Sequence, residues 1–180
     1  MRKVIAAINM TLDGYCDHTA VDQDEEIHDH YSELLEKAGV ILYGRITYQL
    51  MEYWRTVLAN PTGVKSMDDF AVAIDNVPEI VFSHTLKDVD WKTAKLAKRD
   101  IQEEVLELKQ QEGKDIFVGS PSLIVQLTNL HLVDEYQMCV HPVIVGKGLP
   151  LFKNVKDRLT LKLINKKTFA SGPIILYYER

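Results

Sequence analysis

Cysteine is scarce: Cys16 and Cys139 are the only two among 180 residues, and they stand far apart. With no CxxC pair, a disulfide framework and a zinc-ribbon spacing are excluded, and the usage suits a reducing cytoplasm. No apolar run approaches the roughly 18 residues that mark a membrane span. The opening Met1-Arg2-Lys3-Val4-Ile5-Ala6-Ala7-Ile8-Asn9 is basic and then apolar, but its run is too short for a secretory signal and reads as a first strand. Positive charge is also in deficit, with 21 Lys and Arg against 26 Asp and Glu and a net charge of -5. That balance argues against broad nucleic-acid binding, which needs basic side chains to neutralise phosphates. Repeats, low-complexity tracts and a GxGxxG fingerprint are missing as well. His28 and His30 are two apart and share no helix face, while His131 and His141 lack a partner at ligand spacing, so no metal site is expected. There is no nucleophile-elbow sequence to support a Ser-His-Asp triad.

What remains is an ordinary globular chain, 46% hydrophobic and 26% charged, long enough for one domain over residues 1–180 with a full core. Strand and helix signals alternate along it. Lys3 to Ile8 reads as a strand, followed by a polar loop from Asn9 to about Asp24. Ile27, Tyr31, Leu34 and Ala38 recur at helical spacing behind an Asp22/Glu25 capping box, and Gly39 is the expected stop. Val40 to Tyr43 is a second strand, and Gly44 turns the chain into a helix from Ile46 to about Trp54. A loop from Thr56 leads to a short helix near Met67 to Asn76. Glu79 to Ser83 and Lys92 to Leu96 read as strands, the latter at an edge. Asp100 to Glu112 is a helix, with Asp100 and Glu103 as its capping box and Gly113 as its stop. Asp115 to Val118 is a strand and the helix after it carries Leu123, Leu127 and Leu130. Strands then dominate: Val133 to Val145, Thr160 to Lys167 and Ile174 to Tyr178, with turns at Gly146-Lys147-Gly148 and Ser171-Gly172-Pro173. A chain that starts in βαβ units and ends in strands predicts an α/β fold with a mixed sheet and an antiparallel edge.

Three junctions could hold an anion. At Gly44-Arg45-Ile46-Thr47 a strand passes through glycine into a helix start, where free N–H groups and the helix dipole favour negative charge. Arg45 can fork onto a phosphate and Thr47 can donate a hydroxyl bond; equally, the segment could be a strand-end glycine, a solvent-facing arginine and a threonine cap. At Gly119-Ser120-Pro121-Ser122-Leu123, Ser120 suits the N-cap and Pro121 the first helical position, which explains both without a ligand. The repetition of helix starts after strands is what favours a ligand, since ligands gather at that end of open α/β sheets. Ser83-His84-Thr85 could surround a ribose phosphate or form a hydrogen-bonded turn.

Taken in order, Met10-Thr11-Leu12-Asp13-Gly14, Leu42-Tyr43-Gly44-Arg45-Ile46-Thr47-Tyr48, Val81-Phe82-Ser83-His84-Thr85-Leu86, Phe117-Val118-Gly119-Ser120, Leu132-Val133-Asp134-Glu135-Tyr136 and His141-Pro142-Val143-Ile144-Val145-Gly146-Lys147-Gly148 resemble the dihydrofolate reductase-like superfamily. The nearest branch is that of the C-terminal reductase domain of bacterial riboflavin biosynthesis enzymes. The resemblance implies a three-layer fold, with a mixed, mostly parallel central sheet, helices on both faces and an antiparallel C-terminal edge. It implies NADPH lying across the strand ends. Gly44, Arg45 and Thr47 would face the cofactor phosphates, and Ser83, His84 and Thr85 the adenosine 2′-phosphate. Gly119, Ser120, Pro121, Ser122 and Leu123 would lie near the pyrophosphate and nicotinamide ribose, with Ala7 beside the nicotinamide. The loop from Asn9 to Asp24 would cover the active site, and a homodimer is expected.

The implied activity is an NADPH-dependent reductase that transfers hydride to a small pteridine- or pyrimidine-like heterocycle. The cofactor carries hydride, so the protein must position the acceptor and provide a proton. Asp13, Asp24 and Glu26 are the candidate proton donors, although Asp13 also suits an Asp-Gly turn and Glu26 a helix dipole. Asn9, His18 and Trp54 are the candidate substrate contacts, with core packing as the other use of Trp54. Gly119-Ser120-Pro121 replaces the consecutive glycines of dihydrofolate reductases proper, which motivates a rival reading: a noncatalytic nucleotide- or ligand-binding module that keeps the fold.

Overall fold

A computed structural model describes residues 1–21 and 24–180. The expected Asp22/Glu25 capping box involves Asp22 and so lies outside the described residues. Asp24 is the observed N-cap, its carboxylate accepting from Ile27 N at 3.0 Å.

The first half alternates strands and helices: β1 (Val4–Thr11), α1 (Glu25–Lys37), β2 (Ala38–Gly44), α2 (Arg45–Met51), α3 (Tyr53–Ala59), α4 (Lys65–Asp75), β3 (Glu79–Phe82) and β4 (Ala94–Leu96). The second half continues with α5 (Ile101–Gln110), β5 (Asp115–Val118), α6 (Pro121–Asn129), β6 (Glu135–His141), β7 (Lys162–Thr168) and β8 (Ile174–Glu179). The strands form one sheet in the order β4-β3-β2-β5-β1-β6-β8-β7. Neighbours from β4 to β6 pair in parallel, and β8 pairs antiparallel with both β6 and β7.

Strands covered on both faces read as continuous apolar runs, and β1 shows why. Val4, Ala6 and Ile8 enter a core shared with Ile101, Val105, Leu123 and Leu127 of α5 and α6. Ile5 enters the opposite core with Leu35, Trp54, Val57, Phe70 and Ile74 of α1, α3 and α4. Helix layers therefore cover both faces of the parallel part, as expected of a three-layer fold. The edge strand β7 is mostly exposed, and Lys162, Lys166 and Lys167 deter pairing with another sheet.

Several boundaries differ from the sequence reading. Strand β1 runs on to Thr11, so Asn9 belongs to the sheet and not to the following loop. Gly39 does not end α1; it lies inside β2 at an irregularity between Ala38 and Val40. A Cβ there would meet both Arg2 Nη2 and Lys114 O at 2.7 Å, so glycine is needed for close approach. The helix expected from Ile46 to Trp54 is two short helices meeting at Glu52. Strand β6 stops at His141, where Pro142 removes the next donor.

Candidate functional site

The chain places β5 between β1 and β2, and the helices that follow β2 and β5 leave toward opposite faces of the sheet. That arrangement makes a topological switch point at the carboxyl ends of β2 and β5, the kind of place where open α/β sheets bind ligands. Gly44 ends β2, and its N–H donates to Ser120 Oγ at 2.8 Å. Ser120 occupies the N-cap position of α6 but gives its own helix no side-chain bond. The expected serine cap is therefore spent on joining two helix starts, and the first N–H groups of α6 have no side-chain cap. Gly44 has φ -79°, a conformation open to any residue. What its missing side chain provides is space: a Cβ would lie 3.5 Å from Ser122 Oγ and 3.8 Å from Ser120 Oγ.

Around this seam Arg45 is exposed and Thr47 half-buried. Arg45 Nη1 donates to Gln49 Oε1 at 3.0 Å, leaving the rest of the guanidinium fork facing solvent. Ser122 is exposed and Pro121 half-buried, whereas Leu123 is 4% exposed and packs in the core. On the other face of the sheet Gly119 sits between Ala7 and Tyr43, and a Cβ on it would lie 3.5 Å from Tyr43 Cε1 and 3.8 Å from Ala7 O. Ala7 and Gly119 thus put two small residues side by side on that face of the sheet. At the end of β3, Ser83 Oγ accepts from Thr85 N and Leu86 N at 3.1 and 2.9 Å. This is a hydrogen-bonded turn, and it leaves His84 and Thr85 exposed.

The candidate proton donors all have structural work. Asp13 accepts from Thr11 Oγ1 at 2.6 Å and from Val145 N and Gly146 N at 3.2 and 2.8 Å. The Thr11 hydroxyl first, then the two amides, hold its carboxyl below the usual range. Asp24 caps α1, and a hydrogen bond from Ser171, ahead of that from Ile27 N, lowers its pKa as well. Glu26 Oε2 accepts from Ala170 N at 2.9 Å. Thus Asp13 fastens the loop after β6, while Asp24 and Glu26 fasten the turn between β7 and β8.

The loop after β1 is laced to that same segment: Leu12 N reaches Val143 O, Cys16 N reaches Leu149 O and Leu151 N reaches Gly14 O at 2.9, 2.8 and 3.0 Å. Expected as a cover over the site, it is stitched along one rim, with Leu12 and Ile144 exposed there and His18 exposed farther on. Trp54 is 9% exposed and lies 4.5 Å from Phe70 and 5.6 Å from His28 between ring centroids. Core packing accounts for it.

Sequence reasoning missed the partner of Asn9. His141 closes β6, is 2% exposed, and places Nε2 2.9 Å from Asn9 Oδ1 and 3.6 Å from Cys139 Sγ. Strand alternation put Cys139 and His141 on one face, but nothing local to β6 named β1 as its neighbour. Among the described residues no group of three or more His, Cys, Asp or Glu could hold a metal ion, and no helix is long and apolar enough to cross a membrane.

The model of the family described as RibD C-terminal domain matches residues 2–176. YyaP, an uncharacterized protein of Bacillus subtilis (strain 168), is 34% identical over 182 residues, covering 99% of this chain and 95% of that one. A solved protein of Shewanella sp. PV-4 is 18% identical with a TM-score of 0.73, covering 100% of this chain and 99% of that one. A pyrimidine reductase-like protein of Corynebacterium diphtheriae is 16% identical with a TM-score of 0.63, covering 99% and 91%. The diaminohydroxyphosphoribosylaminopyrimidine deaminase/5-amino-6-(5-phosphoribosylamino)uracil reductase of Thermotoga maritima is 17% identical with a TM-score of 0.65, covering 99% of this chain and 56% of that one.

Proposed function

Because the chain belongs to the RibD C-terminal domain family, we propose that it is an NADPH-dependent reductase of a small pteridine- or pyrimidine-like heterocycle. The observation that carries this reading is the Gly44–Ser120 bond, which brings two helix starts together at a seam without bulky side chains. A cradle of this kind fits a dinucleotide: amides and hydroxyls meet its phosphates, and absent Cβ atoms let its backbone come close. Arg45, Thr47 and Ser122 hold the phosphates, His84 and Thr85 receive the 2′-phosphate, and Ala7 with Gly119 forms the floor for the nicotinamide. NADPH, once bound, supplies the hydride.

The rest falls to the chain itself. Leu12 and Ile144 give the rim an apolar surface for a flat ring, and Asn9 meets the ring from the sheet. Since Asp13, Asp24 and Glu26 are each committed to holding a loop, the proton comes from water at the rim. The Corynebacterium and Thermotoga neighbours, a pyrimidine reductase-like protein and a deaminase/uracil reductase, support a pyrimidine as acceptor.

Fluorescence titration with NADPH and NADH tests the cofactor assignment. Arg45→Ala removes charge-assisted bonds worth about 1.5–3 kcal/mol, so NADPH affinity falls by roughly 10- to 150-fold. Absence of binding by either nucleotide, or an unchanged affinity in Arg45→Ala, overturns it. The engagement of all three carboxylates also favours the rival reading, a binding module without turnover. Steady NADPH oxidation with any of a panel of pterins and pyrimidines eliminates that rival.

A further inference from the structure

We propose that His141 is a positioning residue: through Asn9 it turns an amide N–H pair toward the acceptor site, which selects a ring presenting a carbonyl oxygen over one presenting an exocyclic amino group at that point. This rests on the reductase reading of the same site and names the chemistry by which it would choose its acceptor.

Alternation along β1 puts Ile5, Ala7, Asn9 and Thr11 on one face. The parallel register with β6 sets Asn9 beside Cys139 and Thr11 beside His141. Asn9 is therefore one pleat repeat, about 6.7 Å, beyond the Ala7 floor toward the carboxyl end. Its Oδ1 lies 2.9 Å from His141 Nε2. An amide oxygen only accepts, so Nε2 carries the proton in this bond. With Oδ1 held by the ring, the Nδ2 end is directed away from His141, and among the described residues no hydrogen bond occupies it. Asn9 is half-buried, so this donor pair remains within reach of a ligand.

The amide orientation decides selectivity because a carbonyl oxygen accepts from Nδ2–H, whereas an exocyclic amino group in its place opposes donor to donor. An amide free to rotate would present its oxygen as readily and lose the preference. His141 is itself 2% exposed and packs against Cys139 Sγ at 3.6 Å, so it holds the amide without touching the ligand.

The test measures binding of 5,6-diaminouracil and 2,4,5,6-tetraaminopyrimidine, which exchange ring carbonyls for amino groups, to the NADPH-saturated protein by calorimetry. The wild-type protein is expected to prefer the uracil at least tenfold. His141→Ala should bring that ratio close to one while leaving NADPH affinity unchanged, and His141→Gln, whose amide can donate to Asn9 Oδ1, should restore most of it. A preference for the tetraamine, a ratio unchanged in His141→Ala, or binding of neither pyrimidine to an NADPH-loaded protein overturns the inference. Failure of the wild-type protein to bind NADPH overturns the reductase reading beneath it instead. Should His141→Ala not fold, the ring of the wild-type protein still decides: long-range ¹H–¹⁵N correlation is expected to show Nε2 protonated, and an unprotonated Nε2 overturns the assignment.

Discussion

The two ends of the parallel sheet are built on opposite principles. At the amino end, side chains close every strand start they reach. Lys3 N donates to Asp115 Oδ1 at 2.8 Å and Val4 N to Asp134 Oδ2 at 2.7 Å. Arg2 Nε reaches Lys114 O, and Lys109 pairs with Asp134. At the carboxyl end stand Ala7, Gly44, Gly119 and Ser120, with an exposed arginine and uncapped helix starts. Charge is spent on order at one end, and space is left at the other. Glycine shows the contrast best. Gly39, at the amino end, is enclosed by backbone and by Arg2, whereas Cβ atoms at Gly44 and Gly119 would make only ordinary contacts.

Glu79 breaks the pattern and gives the largest expected effect. It opens β3, is fully buried, and among the described residues neither carboxylate oxygen has a hydrogen-bond partner. Burial first, and the charge of Asp75 second, raise its pKa from 4.5 to about 8. Below 4.5 the folded and unfolded chains are both protonated at this site. Between 4.5 and about 8 the unfolded chain ionises first, so stability falls as pH rises, and above that window the loss is complete. Glu79→Gln should therefore raise stability by about 3 kcal/mol at pH 7 and by much less at pH 5. Denaturant unfolding at the two pH values checks this; an equal change at both refutes the buried neutral acid.

Gly39→Ala should cost about 2 kcal/mol, the scale of overpacking a tight site, and leave the NADPH dissociation constant unchanged. Gly44→Ala and Gly119→Ala should do the reverse, weakening NADPH about tenfold, or about 1.4 kcal/mol, with the thermal midpoint close to wild type. If all three variants lose stability alike, the division between the ends does not hold. The smallest effect is expected from Asp134→Asn. Its side chain is 39% exposed against 11% for Lys109, so solvent discounts the pair to about 1 kcal/mol, and that loss should shrink in high salt. Melting curves at two ionic strengths measure it.

Much of the fold was legible. Asp100 caps α5 as predicted, with Glu103 N donating to Asp100 Oδ1 at 2.9 Å, which is one half of the expected capping box, and the Gly172 turn joins β7 to β8 with φ +109°. The ordered segments resembling the riboflavin-type reductase branch agree with the family match over residues 2–176. Legibility failed where a residue's use depended on a distant strand. Gly39 looks like a helix stop until Lys114 is placed against it, and Ser120 looks like a cap until Gly44 takes its hydroxyl. Asp13 looks like an available acid until the amides of Val145 and Gly146 close on it.

Composition, periodicity and local turn chemistry by themselves determined that this chain alternates helix and strand around a shared sheet, and where most elements begin. Those properties depend on neighbours a few residues apart, which a sequence displays directly. Only the tertiary structure decided that β5 enters between β1 and β2, that Ser120 ties two helix starts together, and that His141 orients Asn9 across 132 positions. Such pairings are fixed by strand order and register, and a hydroxyl, amide or carboxylate has no settled role until its partner is packed against it.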